Sequence, residues 1–248
     1  IMELGGKNAL IAFGDCDLDR AVATAFEGAF YNNGEACAST SLLLVDRRIY
    51  QPFTEKFLRL MDRLVLGDGL DPRVNIGPMV TRAHQQKVLS YIETGKQEGA
   101  VLARQLPVPT DGGLENGYFV GPAVFTDVRR DMRIAREEIF GPVTCIIPFE
   151  DEEEAVSIAN DTDFGLIAVV FTENHSRAMR VTRALDTGCV YINNFYRLGA
   201  QCVPFGGNKA SGFGRERCAE TLREFSRPKT VRIPSGLGEI PVWKPCQK

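Results

Sequence analysis

Histidine is scarce in this 248-residue sequence, which contains only His84 and His175. Two histidines disfavour a metal site with histidine ligands and also a Cys–His catalytic dyad, so no metal is predicted. The seven cysteines are odd in number and widely spaced, and no C-x-x-C occurs among them. This distribution argues against a disulfide framework and a zinc ribbon, and it favours a reducing compartment such as the cytoplasm.

Long apolar runs and a large net charge of either sign are also lacking. The longest apolar runs, residues 42–45 and 166–171, are far too short to span a bilayer. The net charge is −3, with 29 basic and 32 acidic residues interspersed. Neither a membrane nor a nucleic-acid partner is therefore predicted. The chain also has neither G-x-G-x-x-G nor G-x-x-x-x-G-K-[ST], so it carries no phosphate-binding loop of a recognisable type.

Two periods of hydrophobicity alternate along the chain. Short apolar runs predict strands, and apolar residues at i, i+3, i+4 and i+7 predict helices. The predicted strands cover residues 8–13, 41–45, 101–103, 118–128, 143–149, 166–172 and 189–193. Helices are predicted at residues 18–30, after Pro52, after Thr81, at 150–160 and at 175–185. This alternation predicts an α/β fold, in which a mostly parallel sheet has helices on both faces and right-handed crossovers.

The composition changes after Asn194. Residues 199–214 contain five glycines, and beyond them a short helix is predicted over 215–225 and a strand over 229–233. Residues 234–248 form a tail rich in proline and glycine. A basic, β-branched segment that leaves the core this late can pair with another chain. The region therefore predicts an irregular or β-type C-terminal arm.

A cysteine follows a glycine turn in residues 32–39, N-N-G-E-A-C-A-S, at the end of a long amphipathic helix. A thiol at such a position is predicted to be exposed and able to approach a substrate. On these residues alone, Cys37 can equally be a small apolar residue that closes a loop, which is the commoner role of a free cysteine.

Three further stretches carry residues that suit chemistry. Residues 2–9, M-E-L-G-G-K-N-A, place a carboxylate ahead of a double glycine that leaves room for close backbone approach. Residues 136–143, R-E-E-I-F-G-P-V, place two carboxylates and an aromatic ring in a turn. Residues 203–216 read V-P-F-G-G-N-K-A-S-G-F-G-R-E. Taken singly, these stretches also fit a surface glutamate, a charged bend and an irregular connection.

Together, in this order and spacing, the four stretches resemble the signatures of the aldehyde dehydrogenase superfamily. The resemblance runs from Glu3 to about Val231. It implies a catalytic domain over residues 1–205, in which residues 1–7 cross over from an upstream dinucleotide-binding domain. It also implies that residues 206–248 form a return loop, a helix and an oligomerisation arm. Since the chain opens inside the first signature, we expect it to be a piece of a longer protein that lacks the upstream domain.

The resemblance assigns roles to four residues. Cys37 matches the nucleophile, whose thiolate attacks an aldehyde to form a thiohemiacetal, and hydride transfer to NAD or NADP then leaves a thioester. The oxyanion is expected at the backbone N–H of Cys37 and at an upstream asparagine. Glu3 matches the base that activates water for hydrolysis. Glu138 matches the residue that binds the nicotinamide ribose, and Phe140 packs nearby. The expected assembly is a homo-dimer or homo-tetramer.

Two features depart from the signatures or vary among members. Glu35 stands where glutamine is commoner, and a carboxylate there is expected to raise the pKa of the Cys37 thiol and make it less reactive. The second feature is the loop over residues 193–202, whose sequence varies with substrate. The candidate substrate residues are Phe195, Tyr196 and Arg197. The two rings can line an apolar funnel and the arginine can meet an acidic substrate, although ordinary loop packing explains all three equally well.

Other functions stay open at this point. A thioester on Cys37 can be resolved by coenzyme A, as in acylating aldehyde dehydrogenases, although members of that kind usually lack the glutamate at the position of Glu3. The chain alone is predicted to be inactive as a dehydrogenase, and it can be a non-catalytic oligomerisation or scaffold piece. A cysteine hydrolase is disfavoured, because no histidine lies near Cys37 in the sequence.

Overall fold

The computed structural model describes residues 1–195 and 202–233. The strands are β1 (Met2–Glu3), β2 (Ala9–Ala12), β3 (Leu42–Asp46), β4 (Val101–Gln105), β5 (Ala123–Thr126), β6 (Val143–Phe149), β7 (Phe164–Gly165), β8 (Ile167–Phe171), β9 (Cys189–Ile192), β10 (Asn208–Lys209) and β11 (Gly212–Phe213). The helices are α1 (Leu18–Phe30), α2 (Tyr50–Met61), α3 (Arg82–Gln97), α4 (Arg133–Arg136), α5 (Glu152–Asn160), α6 (His175–Ala184) and α7 (Ala219–Glu224).

Seven of these strands form one sheet, in the order β4-β5-β6-β3-β2-β8-β9. Every neighbouring pair is parallel except β4 with β5, which is antiparallel. The predicted α/β fold with a mostly parallel sheet and flanking helices is confirmed.

Both faces of the central strands are buried, as a parallel sheet covered by helices requires. In β2, Leu10 and Ala12 pack into one core cluster, and their neighbours Ala9 and Ile11 pack into another. The first cluster contains the buried faces of α1 and α2, and the second contains those of α3, α5 and α6. A strand buried on both sides reads as a continuous apolar run, which explains why these strands could be located from sequence.

The structure differs from the predicted elements at four places. The glycine expected to end the first helix instead ends a 3-10 turn, Tyr31–Gly34, that follows α1. The strand predicted over residues 118–128 is confined to β5, since Pro122 can donate no ladder hydrogen bond. The short helix α4 lies inside the predicted polar bend. Residues 229–233 form no strand, because no neighbouring strand in the described chain pairs with them.

Two small strand pairs fold the glycine-rich region back onto the domain. β11 pairs with β1, and β10 pairs with β7, both antiparallel. The first pair places the V-P-F-G-G stretch beside Glu3. In the described parts of the chain, no helix is both long enough and apolar enough to cross a membrane.

Candidate active site

The candidate site lies at the amino ends of β2 and β3, where Glu3 and Cys37 precede these strands. Asn8 fastens the two segments together. Its Nδ2 donates hydrogen bonds to the carbonyl oxygens of Cys37 and Ser39, each across 2.8 Å, and its Oδ1 accepts from the N–H of Ile167 at 3.1 Å. The side chain is buried, so these bonds are shielded from water. Sequence reasoning missed Asn8, although a polar residue at the start of an apolar strand was a visible signal.

The double glycine allows three of the four stretches to meet. The N–H of Gly6 donates to Oε1 of Glu138 at 3.0 Å. A Cβ at Gly5 would overlap the carboxylate of Glu138, and a Cβ at Gly6 would lie 2.5 Å from the carbonyl oxygen of Cys37. The glycines are therefore required for space, since any larger residue would push the carboxylate and the cysteine loop away.

Cys37 is half-buried rather than exposed, which corrects the expectation from sequence. Burial raises the pKa of its thiol above the ordinary value of 9.0, and the carboxylates of Glu3 and Glu138 raise it further. The backbone hydrogen bonds of Ala38 and of Cys37 itself act in the opposite direction. At neutral pH the sulfur is therefore a thiol that must lose its proton before it can act as a nucleophile.

Glu3 is held against the glycine-rich loop. Its Oε1 is buried and accepts no hydrogen bond from the described residues. Burial and the nearby Glu216 raise the pKa of its carboxyl, although Arg215 and Arg217 lower it. A Cβ at Gly206 would lie 2.9 Å from Oε1 of Glu3, so this glycine makes room for the carboxylate. A carboxylate with a raised pKa is a stronger base than an ordinary one.

The two neighbouring glutamates of the E-E-I-F-G-P stretch have different partners. Glu137 accepts from the hydroxyl of Tyr91 at 2.7 Å and from two guanidinium nitrogens of Arg133, each at 2.8 Å. Arg133 holds the pKa of Glu137 at about 2. Glu138 turns instead toward Gly6 and the cysteine loop. Of these two carboxylates, only that of Glu138 therefore faces the double glycine, and its role in cofactor binding stays a prediction.

Lys7 is a buried lysine near these carboxylates. Its side chain is 2% exposed, and its Nζ has no hydrogen-bond partner among the described residues. Burial lowers the pKa of Lys7, whereas Cys145, Glu138 and Glu137 raise it. Lys7 thus lies near Glu137 and Glu138 without a hydrogen bond to either carboxylate.

Glu35 does not act on the cysteine as expected. The carboxylates that raise the pKa of Cys37 are those of Glu3 and Glu138. Glu35 points to the imidazole of His84, and its Oε1 lies 3.2 Å from Nε2. The thiol therefore has the raised pKa that was expected, but from burial and two other carboxylates.

The candidate substrate residues are only partly described. The ring of Phe195 packs edge-on against Tyr191, with 5.4 Å between the ring centroids. Tyr196 and Arg197 lie outside the described residues. Within residues 1–195 and 202–233, no group of three or more metal-binding side chains is close enough together to hold a metal ion.

The chain is similar to proteins of known family. The model of the aldehyde dehydrogenase family matches residues 1–231. Aldehyde dehydrogenase citD of Monascus ruber is 52% identical over 245 residues, covering 98% of this chain and 48% of its own length. Betaine aldehyde dehydrogenase of Agrobacterium fabrum is 45% identical over 245 residues, covering 97% and 48%.

Solved structures agree with these relatives. HpcC of Thermus thermophilus superposes with a TM-score of 0.90 at 39% identity, covering 97% of this chain and 47% of its own. Betaine aldehyde dehydrogenase of Staphylococcus aureus, solved in complex with NAD+, gives a TM-score of 0.86 at 38% identity, covering 90% and 44%. The chain spans about half the length of the curated relatives it matches.

Proposed function

Because this chain belongs to the aldehyde dehydrogenase family, we propose that it provides the catalytic half of an enzyme that oxidises an aldehyde to a carboxylic acid with NAD or NADP. The observation that carries the proposal is the meeting of Cys37, Glu3 and Glu138 around one double glycine. Gly6 contacts the second carboxylate through its N–H, and the cysteine loop packs against the same glycine.

In the proposed reaction, the thiol of Cys37 releases its proton to solvent, and the thiolate attacks the aldehyde carbon to give a thiohemiacetal. The oxyanion of this adduct accepts a hydrogen bond from the backbone N–H of Cys37. A nicotinamide cofactor, when bound, would supply the acceptor for the hydride of this adduct, and Cys37 would then hold the oxidised carbon as a thioester. Glu3 then removes a proton from water, and the resulting hydroxide attacks the thioester carbon. The acid leaves, and the Cys37 thiolate is regenerated. Two separate groups are needed because the sulfur is blocked during hydrolysis.

The chain fits one end of the cofactor. Glu138 offers a half-buried carboxylate that suits ribose hydroxyls, and Phe140 offers a half-buried ring in the same turn. The sequence has no phosphate-binding loop of a recognised type. We therefore propose that the phosphates and the adenosine bind an upstream dinucleotide-binding domain, and that the chain alone does not act as a dehydrogenase. A neighbour of known structure binds NAD+, which favours NAD over NADP.

The remaining proposals concern the division and assembly of the chain. Residues 1–205 are proposed as the catalytic domain, and residues 206–248 as the return loop, helix and oligomerisation arm. The exposure of Phe225, Val231 and Ile233 supports an arm that is covered by another subunit of a homo-dimer or homo-tetramer. The free thiols support a reducing compartment such as the cytoplasm.

The function is tested with the chain alone and with a fused enzyme, in which the upstream half of the citD relative precedes Ile1. Reduced cofactor is followed with a panel of aldehydes that includes betaine aldehyde. The fused enzyme should turn over, the chain alone should not, and Cys37→Ala should abolish turnover. Cys16→Ala, a change at the opposite end of β2, is the matched control and should leave it unchanged.

The same assay separates the alternatives. A folded fused enzyme that oxidises no aldehyde contradicts the proposal. An acyl-CoA product on addition of coenzyme A would assign the chain to the acylating class. Turnover by the chain alone would contradict the proposed need for an upstream domain.

A further inference from the structure

We propose that Glu35 and His84 form a positioning pair, which joins the loop of the nucleophile to the turn of Glu138 and Phe140 and thereby sets cofactor affinity. The pair is a positioning pair and not part of the proposed reaction. It acts through the carbonyl group of Phe140. This inference rests on the proposed function, because Glu138 is taken to bind the nicotinamide ribose.

The hydrogen-bond geometry fixes the state of the imidazole. Nε2 of His84 lies 2.7 Å from the carbonyl oxygen of Phe140. A carbonyl oxygen only accepts, so Nε2 must carry a hydrogen. The same nitrogen lies 3.2 Å from Oε1 of Glu35, and both side chains are about 15% exposed. The carboxylate of Glu35 thus favours a hydrogen on Nε2. That hydrogen is present in the neutral Nε2–H tautomer and in the imidazolium alike.

The carbonyl that His84 holds belongs to a backbone segment under strain. Phe140 has a φ of +60°, in the left-handed region that a non-glycine residue adopts at a cost of about 1 kcal/mol or more. Its ring packs edge-on against His84, with 6.0 Å between the ring centroids. Such a conformation persists only where its surroundings hold it. The imidazole does so through both the carbonyl and the ring.

Glu35, the other member of the pair, belongs to the cysteine loop and is held there by neighbouring residues. Glu35 stands two residues before Cys37, and Asn33 approaches its Oε2 at 3.5 Å. Oδ1 of Asn33 in turn accepts from the N–H of Gly77 at 3.0 Å. Gly34 packs directly on the carbonyl of Gly141, with no room for a Cβ. The loop that carries the sulfur and the turn that aims the cofactor carboxylate therefore meet at one imidazole.

The test measures the dissociation constant and KM for NAD+ in the fused enzyme, together with the rate of Cys37 alkylation in the chain alone. His84→Ala removes the donor, and His84→Gln replaces it with an amide N–H. His175→Ala, the same change at the exposed second histidine, is the matched control. Loss of one hydrogen bond to a strained carbonyl should weaken NAD+ binding about five- to tenfold, with kcat and alkylation changed less than about twofold.

Two further variants distinguish positioning from mere stabilisation. His84→Gln should bind NAD+ within about twofold of the unchanged enzyme. The double variant Glu35→Ala/His84→Ala should bind it about as weakly as His84→Ala alone, because both side chains act through one carbonyl. Unchanged NAD+ affinity in His84→Ala overturns the inference. The inference is also overturned if His84→Ala and His84→Gln lose NAD+ affinity equally and this loss parallels the decrease in their free energies of unfolding.

These outcomes are separate from failure of the proposed function. If the unchanged fused enzyme binds NAD+ but oxidises no aldehyde, the function fails, and the dissociation constants still decide on the pair. If it is folded and binds no NAD+, both proposals are overturned.

Discussion

The backbone N–H of Gly6 donates a hydrogen bond to Oε1 of Glu138 across 3.0 Å, although the two residues are 132 positions apart. This bond brings the first and third of the four stretches together. On its other side, the same glycine packs against the carbonyl of Cys37. One turn therefore sets the relative positions of the proposed cofactor carboxylate and the proposed nucleophile.

Substitution of Gly5 should damage the cofactor site while sparing the fold. In Gly5→Ala, the new methyl group would overlap the carboxylate of Glu138 and displace it. The dissociation constant of the fused enzyme for NAD+ should rise at least about tenfold, the equivalent of about 1.4 kcal/mol. Gly69→Ala is the matched control, because its methyl group would meet nothing within 4 Å. Equal affinity in both variants would show that Glu138 is not held by this turn.

Replacement of Glu3 should move two rates in opposite directions. Glu3 raises the pKa of Cys37, so in Glu3→Gln more of the sulfur is thiolate at a given pH and alkylation by iodoacetamide should be faster. Turnover of the fused enzyme should fall about a hundredfold, because the base for hydrolysis is gone.

The pH dependence of alkylation follows from the same shift. Since the pKa of Cys37 is raised, its alkylation should increase with pH through a midpoint above 9.0, and the midpoint should be lower in Glu3→Gln. Peptide mass spectrometry separates Cys37 from the other thiols, and Glu154→Gln serves as an exposed control. An unchanged midpoint in Glu3→Gln would remove Glu3 from the neighbourhood of the sulfur.

Asn8 should be important for stability. In Asn8→Ala, the carbonyls of Cys37 and Ser39 and the N–H of Ile167 lose their partner in a buried place. Unsatisfied groups of this kind cost about 1–3 kcal/mol each, so the free energy of unfolding should fall by about 3 kcal/mol or more. Urea unfolding measures it. The exposed Asn194→Ala should stay within about 0.5 kcal/mol, and a similarly small effect of Asn8→Ala would contradict the assigned role.

The pairing of Glu137 with Arg133 should give an acid-dependent contribution to stability. The pKa of Glu137 is lowered from 4.5 to about 2 in the folded chain, so the contribution is present above about 4.5 and lost as the pH falls toward 2. The pair is largely exposed, which limits the contribution to about 1 kcal/mol. Glu137→Gln should therefore lower the free energy of unfolding at pH 7 and have little effect at the acid end of this window. Urea unfolding of the unchanged chain and of this variant at both pH values measures the difference, and an equal loss at both would point to packing instead of charge.

The sequence by itself determined the fold class and the identities of the chemical groups. Continuous apolar runs marked the buried strands, because both faces of a parallel sheet need apolar side chains. Side-chain caps such as Thr81 marked helix starts, because a cap binds a backbone N–H only a few residues away. Oγ1 of Thr81 accepts from the N–H of His84. Four stretches in register supplied a family resemblance that the comparisons confirm. The roles that this resemblance assigns to Cys37, Glu3, Glu138 and Phe140 stay predictions.

The tertiary structure alone decided which groups touch. Nothing in the local sequence reveals that Asn8 holds the carbonyl of Cys37, or that Glu35 faces His84 rather than the sulfur. It likewise decided that Cys37 is half-buried and that residues 229–233 form no strand within this chain. The physical reason is common to all of these. Periodicity and capping report interactions a few residues apart, whereas pKa shifts, close glycine contacts and strand pairing depend on segments that only the folded sheet brings together.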